Sequence, residues 1–93
     1  MEIIKSSLRR KLLMYYFAYP ETNLYLREIA EKIDEDPGNL SKELTKLEKD
    51  GLFISNQRGN QKYYSVNRNY FIYDELRSIV LKKSSVQIPE SST

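Results

Sequence analysis

The sequence predicts one small domain of the α+β class, mainly helical, and three observations predict it. Apolar residues recur at helical spacing through most of the first half of the chain. In the middle, an Asp36-Pro37 pair and Gly51 bracket a further helical run. Beyond Gly51 the period changes from that of a helix to that of a strand, and Gly59 separates two β-prone stretches. At 93 residues the chain has apolar material for one core. A domain this small buries a modest share of its surface, so a second subunit is a natural source of extra stability.

The first helix is predicted over Ser6 to Tyr19. Leu8, Leu12, Tyr15 or Tyr16, and Tyr19 follow one helical face, Ser6 or Ser7 can cap it, and Pro20 stops it. Leu13 and Phe17 widen the apolar stripe, which points to a second surface packed against the helix. After the polar Glu21-Thr22-Asn23 connector, Leu24 to Leu26 reads as a very short strand. Arg27 to Ile33 reads as a brief helix with Ile29, Ala30 and Ile33 inward, ending at Asp34-Glu35. Asp36 then offers an N-cap acceptor before a proline at the first helical position, where the missing N–H costs nothing. The helix that follows runs to Asp50, and Gly51 supplies its left-handed end. A short helix, a tight turn and a longer helix in succession make a helix-turn-helix unit.

Two strands, 52–57 and 61–66, are predicted around Arg58-Gly59-Asn60, forming a β-ribbon with a basic tip; Leu24–Leu26 can add as a third strand. A last helix is predicted from Tyr70 to Lys83, capped by Asn67 or Asn69, with Ile72, Leu76, Ile79 and Val80 inward. The domain is expected to span 1–83, and the serine-rich 84–93 to form a flexible polar tail.

Composition narrows the chemistry. There is no cysteine and no histidine, so the usual general base, the commonest transition-metal ligand and the thiolate nucleophile are all missing. An enzyme is not expected, nor a cofactor. The Asp34-Glu35-Asp36 run lacks the alternating spacing and glycine of a calcium loop, so no metal site is expected there. With no long apolar run and no signal-like N-terminus, the protein is expected to be cytoplasmic and not to engage a membrane.

Net charge is only +2, yet it is unevenly distributed. Residues 1–19 and 37–68 are each net basic, while 20–36 are net acidic, so the fold can present a basic face. On a helical wheel Leu40, Leu44 and Leu47 cluster within about 60° of one another. Lys42, Thr45, Lys46 and Lys49 lie on the opposite side, Asn39 and Ser41 flank them, and Glu43 and Glu48 fall to the sides. That is the chemistry of a helix laid in a DNA major groove: lysines for phosphates or guanine, asparagine for an adenine edge, hydroxyls for either. Lysines on an outer face usually only stay solvated; here the preceding helix and turn and the following ribbon favour double-stranded DNA. Arg58, Asn60 and Lys62 on the ribbon and Arg27 on the short helix complete the expected contacts. The run Arg9-Arg10-Lys11 is better read as a solvated face than as a second DNA contact.

Aromatic residues concentrate at the two ends, Tyr15, Tyr16, Phe17 and Tyr19 against Tyr70, Phe71 and Tyr73, more than one small core would hold easily. A homodimer interface between first and last helices, using Leu13, Tyr16, Phe17, Phe71, Tyr73, Leu76 and Val80, would employ them better than a ligand pocket.

The segments Leu24-Tyr-Leu-Arg-Glu-Ile-Ala-Glu-Lys-Ile33 and Asp36-Pro-Gly-Asn-Leu-Ser-Lys-Glu-Leu-Thr-Lys-Leu-Glu-Lys-Asp-Gly-Leu52 resemble winged helix-turn-helix regulators of the ArsR/MarR-like superfamily. The stretch Arg-Gly-Asn-Gln-Lys-Tyr-Tyr-Ser-Val66 fits the wing of such proteins, and the resemblance covers residues 8–81. It implies a small prokaryotic transcriptional regulator, dimeric on a pseudo-palindromic operator, with Asn39, Ser41, Lys42, Thr45 and Lys46 as the readers. The Cys and His ligands of metal-sensing members are missing here, so sensing of that kind is not expected. Some short proteins of this type are protein adaptors, which leaves a protein-interaction module without DNA binding as the alternative.

Overall fold

Seven elements follow one another in the computed structural model, which describes residues 7–84. They are α1 (Ser7–Ala18), β1 (Leu24–Tyr25), α2 (Leu26–Ile33), α3 (Pro37–Asp50), β2 (Phe53–Arg58), β3 (Gln61–Val66) and α4 (Tyr73–Ser84). Ser84 closes α4, and the rest of the polar tail expected at 84–93 lies outside the described residues.

The best-specified element is α3. Asp36 accepts the Asn39 N–H at 3.0 Å, Pro37 opens the helix, and Gly51 closes it at φ 92. The N–H of Leu52 returns to Leu47 O at 3.0 Å, turning the chain and burying Leu52. The shorter α2 ends differently, on Asp34 at φ 56, a left-handed conformation that few residues other than glycine, asparagine and aspartate adopt. At its start, Glu28 Oε1 accepts the Tyr25 N–H at 3.2 Å.

The sheet is antiparallel in the order β1-β3-β2, with Leu24 opposite Tyr64 and Phe53 opposite Val66. Its inner face carries Phe53, Tyr64 and Val66 into the core. The loop at the tip is shorter than expected: Arg58 pairs with Gln61 within the ladder, leaving Gly59 and Asn60 to make the turn. Gly59, at φ 58, occupies the first loop position, where a type II′ hairpin places glycine.

One core joins all four helices to the inner face of the sheet. Two expectations are corrected there. The buried face of α1 is Leu12, Leu13, Tyr16 and Phe17, while Tyr19 is 61% exposed. Leu13, Tyr16, Phe17, Tyr73, Leu76 and Val80, expected at a subunit interface, are buried within the single chain, because α4 folds back on α1 and supplies the second surface that the wide stripe required. Phe17 and Tyr73 meet edge-to-face at 5.4 Å, and Arg77 Nε donates to Phe17 O at 3.0 Å, closing the end of α1. Tyr16 is accommodated because its hydroxyl donates to Tyr64 O at 2.8 Å. Burial pushes the Tyr16 hydroxyl well above its usual pKa, so it remains a protonated donor. Of the expected interface residues only Phe71, 83% exposed, offers surface to a partner.

The last helix also begins later than expected. Asn67 does not cap it. Its Nδ2 donates to Gly51 O at 2.9 Å and its Oδ1 accepts the Asn69 N–H at 3.0 Å, so it pins the exit of β3 to the end of α3. Ile79, expected inward, is partly exposed, and Tyr73 takes an inner position instead.

Candidate nucleic-acid interface

The leucines of α3 (Leu40, Leu44 and Leu47) are buried, which turns the opposite side of the helix outward. Lys42, Thr45, Lys46 and Lys49 are all exposed on that side, with Asn39 exposed and Ser41 half-buried in the first turns. Thr45 Oγ1 donates back to Ser41 O at 2.9 Å, which still leaves the hydroxyl able to accept. Among the described residues no carboxylate pairs with Lys42, Lys46 or Lys49. Arg27, at the start of α2, is exposed and likewise makes no ion pair among these residues.

The basic groups of the hairpin divide between its two faces. Arg58 shares the outer face with Tyr63, its guanidinium carbon 5.2 Å from the ring centroid, and Tyr63 stacks edge-to-face on Tyr25 at 5.6 Å. Lys62 lies on the inner face, 5.6 Å from the Tyr64 ring, and turns toward α3. There its Nζ stands 3.5 Å from Glu48 Oε1, while Glu48 Oε2 accepts the Ser55 hydroxyl. Asn60 is exposed at the tip, and Gln57 Nε2 donates to Gly59 O at 3.2 Å, stiffening the turn. The structure therefore brings the α3 side chains and Lys62 to one side and leaves Arg58 on the other face of the ribbon. The residue missed by sequence reasoning is Glu48: its sideways wheel position marks it only once the hairpin is known to pack there.

The basic run on α1 has a different use. Arg9 pairs with Glu43, which is buried to 7% exposure on α3, and Lys11 Nζ lies 2.7 Å from Glu35 Oε2 and 3.5 Å from Asp34 O. Two of the three cations thus fasten α1 to the helix-turn-helix unit. The acidic run is absorbed in the same way, Glu35 by Lys11 and Asp36 as the N-cap of α3. Among the described residues there is no group of three or more His, Cys, Asp or Glu side chains able to hold a metal, and no helix long and apolar enough to cross a membrane.

Comparison with solved structures places this arrangement. The antimony-specific transcriptional repressor AntR superposes with a TM-score of 0.66 at 19% identity, covering 94% of this chain and 77% of its own. MepR of Staphylococcus aureus, in its complex with DNA, gives 0.67 at 15% identity over 92% of this chain and 72% of its own. The homodimeric winged helix-turn-helix domain of Mb0332 from Mycobacterium bovis, described as a possible ArsR-family transcriptional regulator, gives 0.69 at 14% identity over 99% and 81%. The fold is a winged helix-turn-helix. In its terms α2 and α3 are the helix-turn-helix, α3 is its second helix and β2–β3 is the wing. No protein-family model and no curated protein matches the sequence.

Proposed function

We propose that this winged-helix chain is a homodimeric, sequence-specific, double-stranded DNA-binding regulator of transcription. The recognition helix α3 enters the major groove, and the wing contacts the flanking backbone or minor groove. The observation that carries this reading is the outer side of α3, where Lys42, Lys46 and Lys49 stand exposed and, among the described residues, unpaired by any carboxylate. Lys42, Lys46 and Lys49 neutralise phosphates, as do Arg27, Arg58 and Lys62, while Asn39, Ser41 and Thr45 meet base edges and Asn60 the backbone at the wing tip. The solved neighbours support it: AntR is a transcriptional repressor, MepR is seen on DNA, and Mb0332 is a homodimer. No catalytic step and no cofactor belong to this reading.

The two subunits meet through the outer sides of α1 and α4. The large apolar side chains exposed on these helices or next to their ends are Tyr19, which follows α1, Phe71, which precedes α4, and the partly exposed Ile79 of α4. The same exposed aromatics favour the second reading, a winged-helix adaptor that docks a different protein and leaves DNA alone.

Fluorescence-anisotropy titration of duplex DNA at two salt concentrations separates the two. The regulator loses affinity steeply with salt, with a slope in log K of about 0.9 for each phosphate neutralised. Absence of duplex affinity at low salt, with co-purification of a stable protein partner, selects the adaptor.

A further inference from the structure

The recognition helix and the wing meet at one junction, and Glu48 occupies it. Its carboxylate accepts the Ser55 hydroxyl of β2 and faces Lys62 Nζ of β3 at 3.5 Å, so one side chain of α3 holds both strands of the wing. The pair is open to solvent, with side-chain exposures of 48% for Lys62 and 34% for Glu48. Lys62 is the one cation of the proposed DNA-facing set that a carboxylate pairs with among the described residues. A helix in the major groove and a wing reaching the adjacent minor groove are separated by a phosphate strand, since such a strand divides the two grooves. With the wing in the minor groove, that strand would pass between α3 and the wing, the two elements that Glu48 and Lys62 join.

Resting on the DNA-binding reading above, we propose that Glu48 is a positioning residue that limits duplex affinity by engaging Lys62 in the free protein and opposing the phosphate strand in the complex. The lysine can exchange one oxyanion for another because its ammonium is a compact charge on a flexible stem with rotatable donors. The Ser55 hydroxyl needs no phosphate and stays on Glu48, so the wing remains fastened to α3 while Lys62 changes partner. The gain from the new phosphate contact is reduced by the loss of the old pair, and one negative charge remains at the seam. The effect is independent of sequence: it holds down binding to any duplex and leaves discrimination to the base-reading side chains of α3.

The test uses the full chain and a duplex of arbitrary sequence, titrated by anisotropy at two salt concentrations. E48Q keeps the shape and an acceptor for Ser55 while removing the charge. It is expected to bind about three- to fivefold more tightly at low salt, with a log K slope steeper by up to about 0.9. K62Q is expected to cost more affinity in the E48Q background than in the native one. Equal or weaker binding by E48Q, or the same cost of K62Q in both backgrounds, overturns the proposal. Thermal unfolding by circular dichroism establishes whether E48Q folds. If it does not, K62Q alone decides: a smaller loss than Lys46→Gln supports the proposal, and an equal loss overturns it. A native chain with no duplex affinity at low salt removes the DNA-binding reading and this proposal together, whereas a native chain that binds beside an E48Q variant that binds no better removes the proposal alone.

Discussion

Helix α1 carries Arg9, Arg10 and Lys11 near its start, and helix α3 carries Lys42, Lys46 and Lys49 along its outer side. Counted by charge, the two sets are the same. They differ in what stands opposite them. Arg9 and Lys11 face Glu43 and Glu35 of the helix-turn-helix unit, so their charge is spent inside the molecule, holding α1 against the elements it supports. The lysines of α3 face solvent, and their charge is available to a polyanion. A basic run on a helix therefore says little until its neighbours are known. Here carboxylates of the same chain engage Arg9 and Lys11 of the first set, while no carboxylate among the described residues engages the second.

Four substitutions break or sharpen that contrast, taken in order of their expected effect on folding. Arg9→Met leaves the Glu43 carboxylate without its pairing guanidinium in a nearly buried position, and the unfolding free energy in urea should fall by about 2–3 kcal/mol. A change within error would show the pair to be ornamental. Asp36→Ala removes the cap that accepts Asn39 N–H, and should cost about 1 kcal/mol in the same measurement, loosening the first turn from which Asn39 and Ser41 project. Lys11→Gln breaks a more exposed pair and should cost at most about 1 kcal/mol. Lys46→Gln, on the exposed side of α3, should leave stability within about 0.5 kcal/mol and act on duplex affinity instead. A Lys46→Gln variant that melts early while binding duplex normally would reverse the assignment of the two helices.

Much of the fold was legible because its signals are local. Asp36, Pro37 and Gly51 mark both ends of α3 within a residue of each boundary, and each acts on the backbone beside it. The change of period after Gly51 located the wing for the same reason. What escaped depends on contacts far along the chain. Asn67 resembles a helix cap, yet Gly51, distant in sequence, claims its side chain. Tyr16, Phe17 and Tyr73 looked like too much aromatic bulk for one core, and they fit because Tyr64 O receives the Tyr16 hydroxyl and Tyr73 stacks on Phe17. At the candidate interface the outward lysines followed from helical periodicity alone. The pairing of Arg9 with Glu43 and of Lys62 with Glu48 did not, since neither distance exists until the helices and the wing have packed.

The contrast between α1 and α3 is tested most directly by the salt dependence of duplex binding, measured side by side for the native chain, Lys46→Gln and Lys11→Gln. The account predicts that Lys46→Gln lowers the log K slope by about 0.9 per subunit bound and that Lys11→Gln leaves it unchanged. Equal losses from the two substitutions, or a native affinity that does not vary with salt, would contradict it.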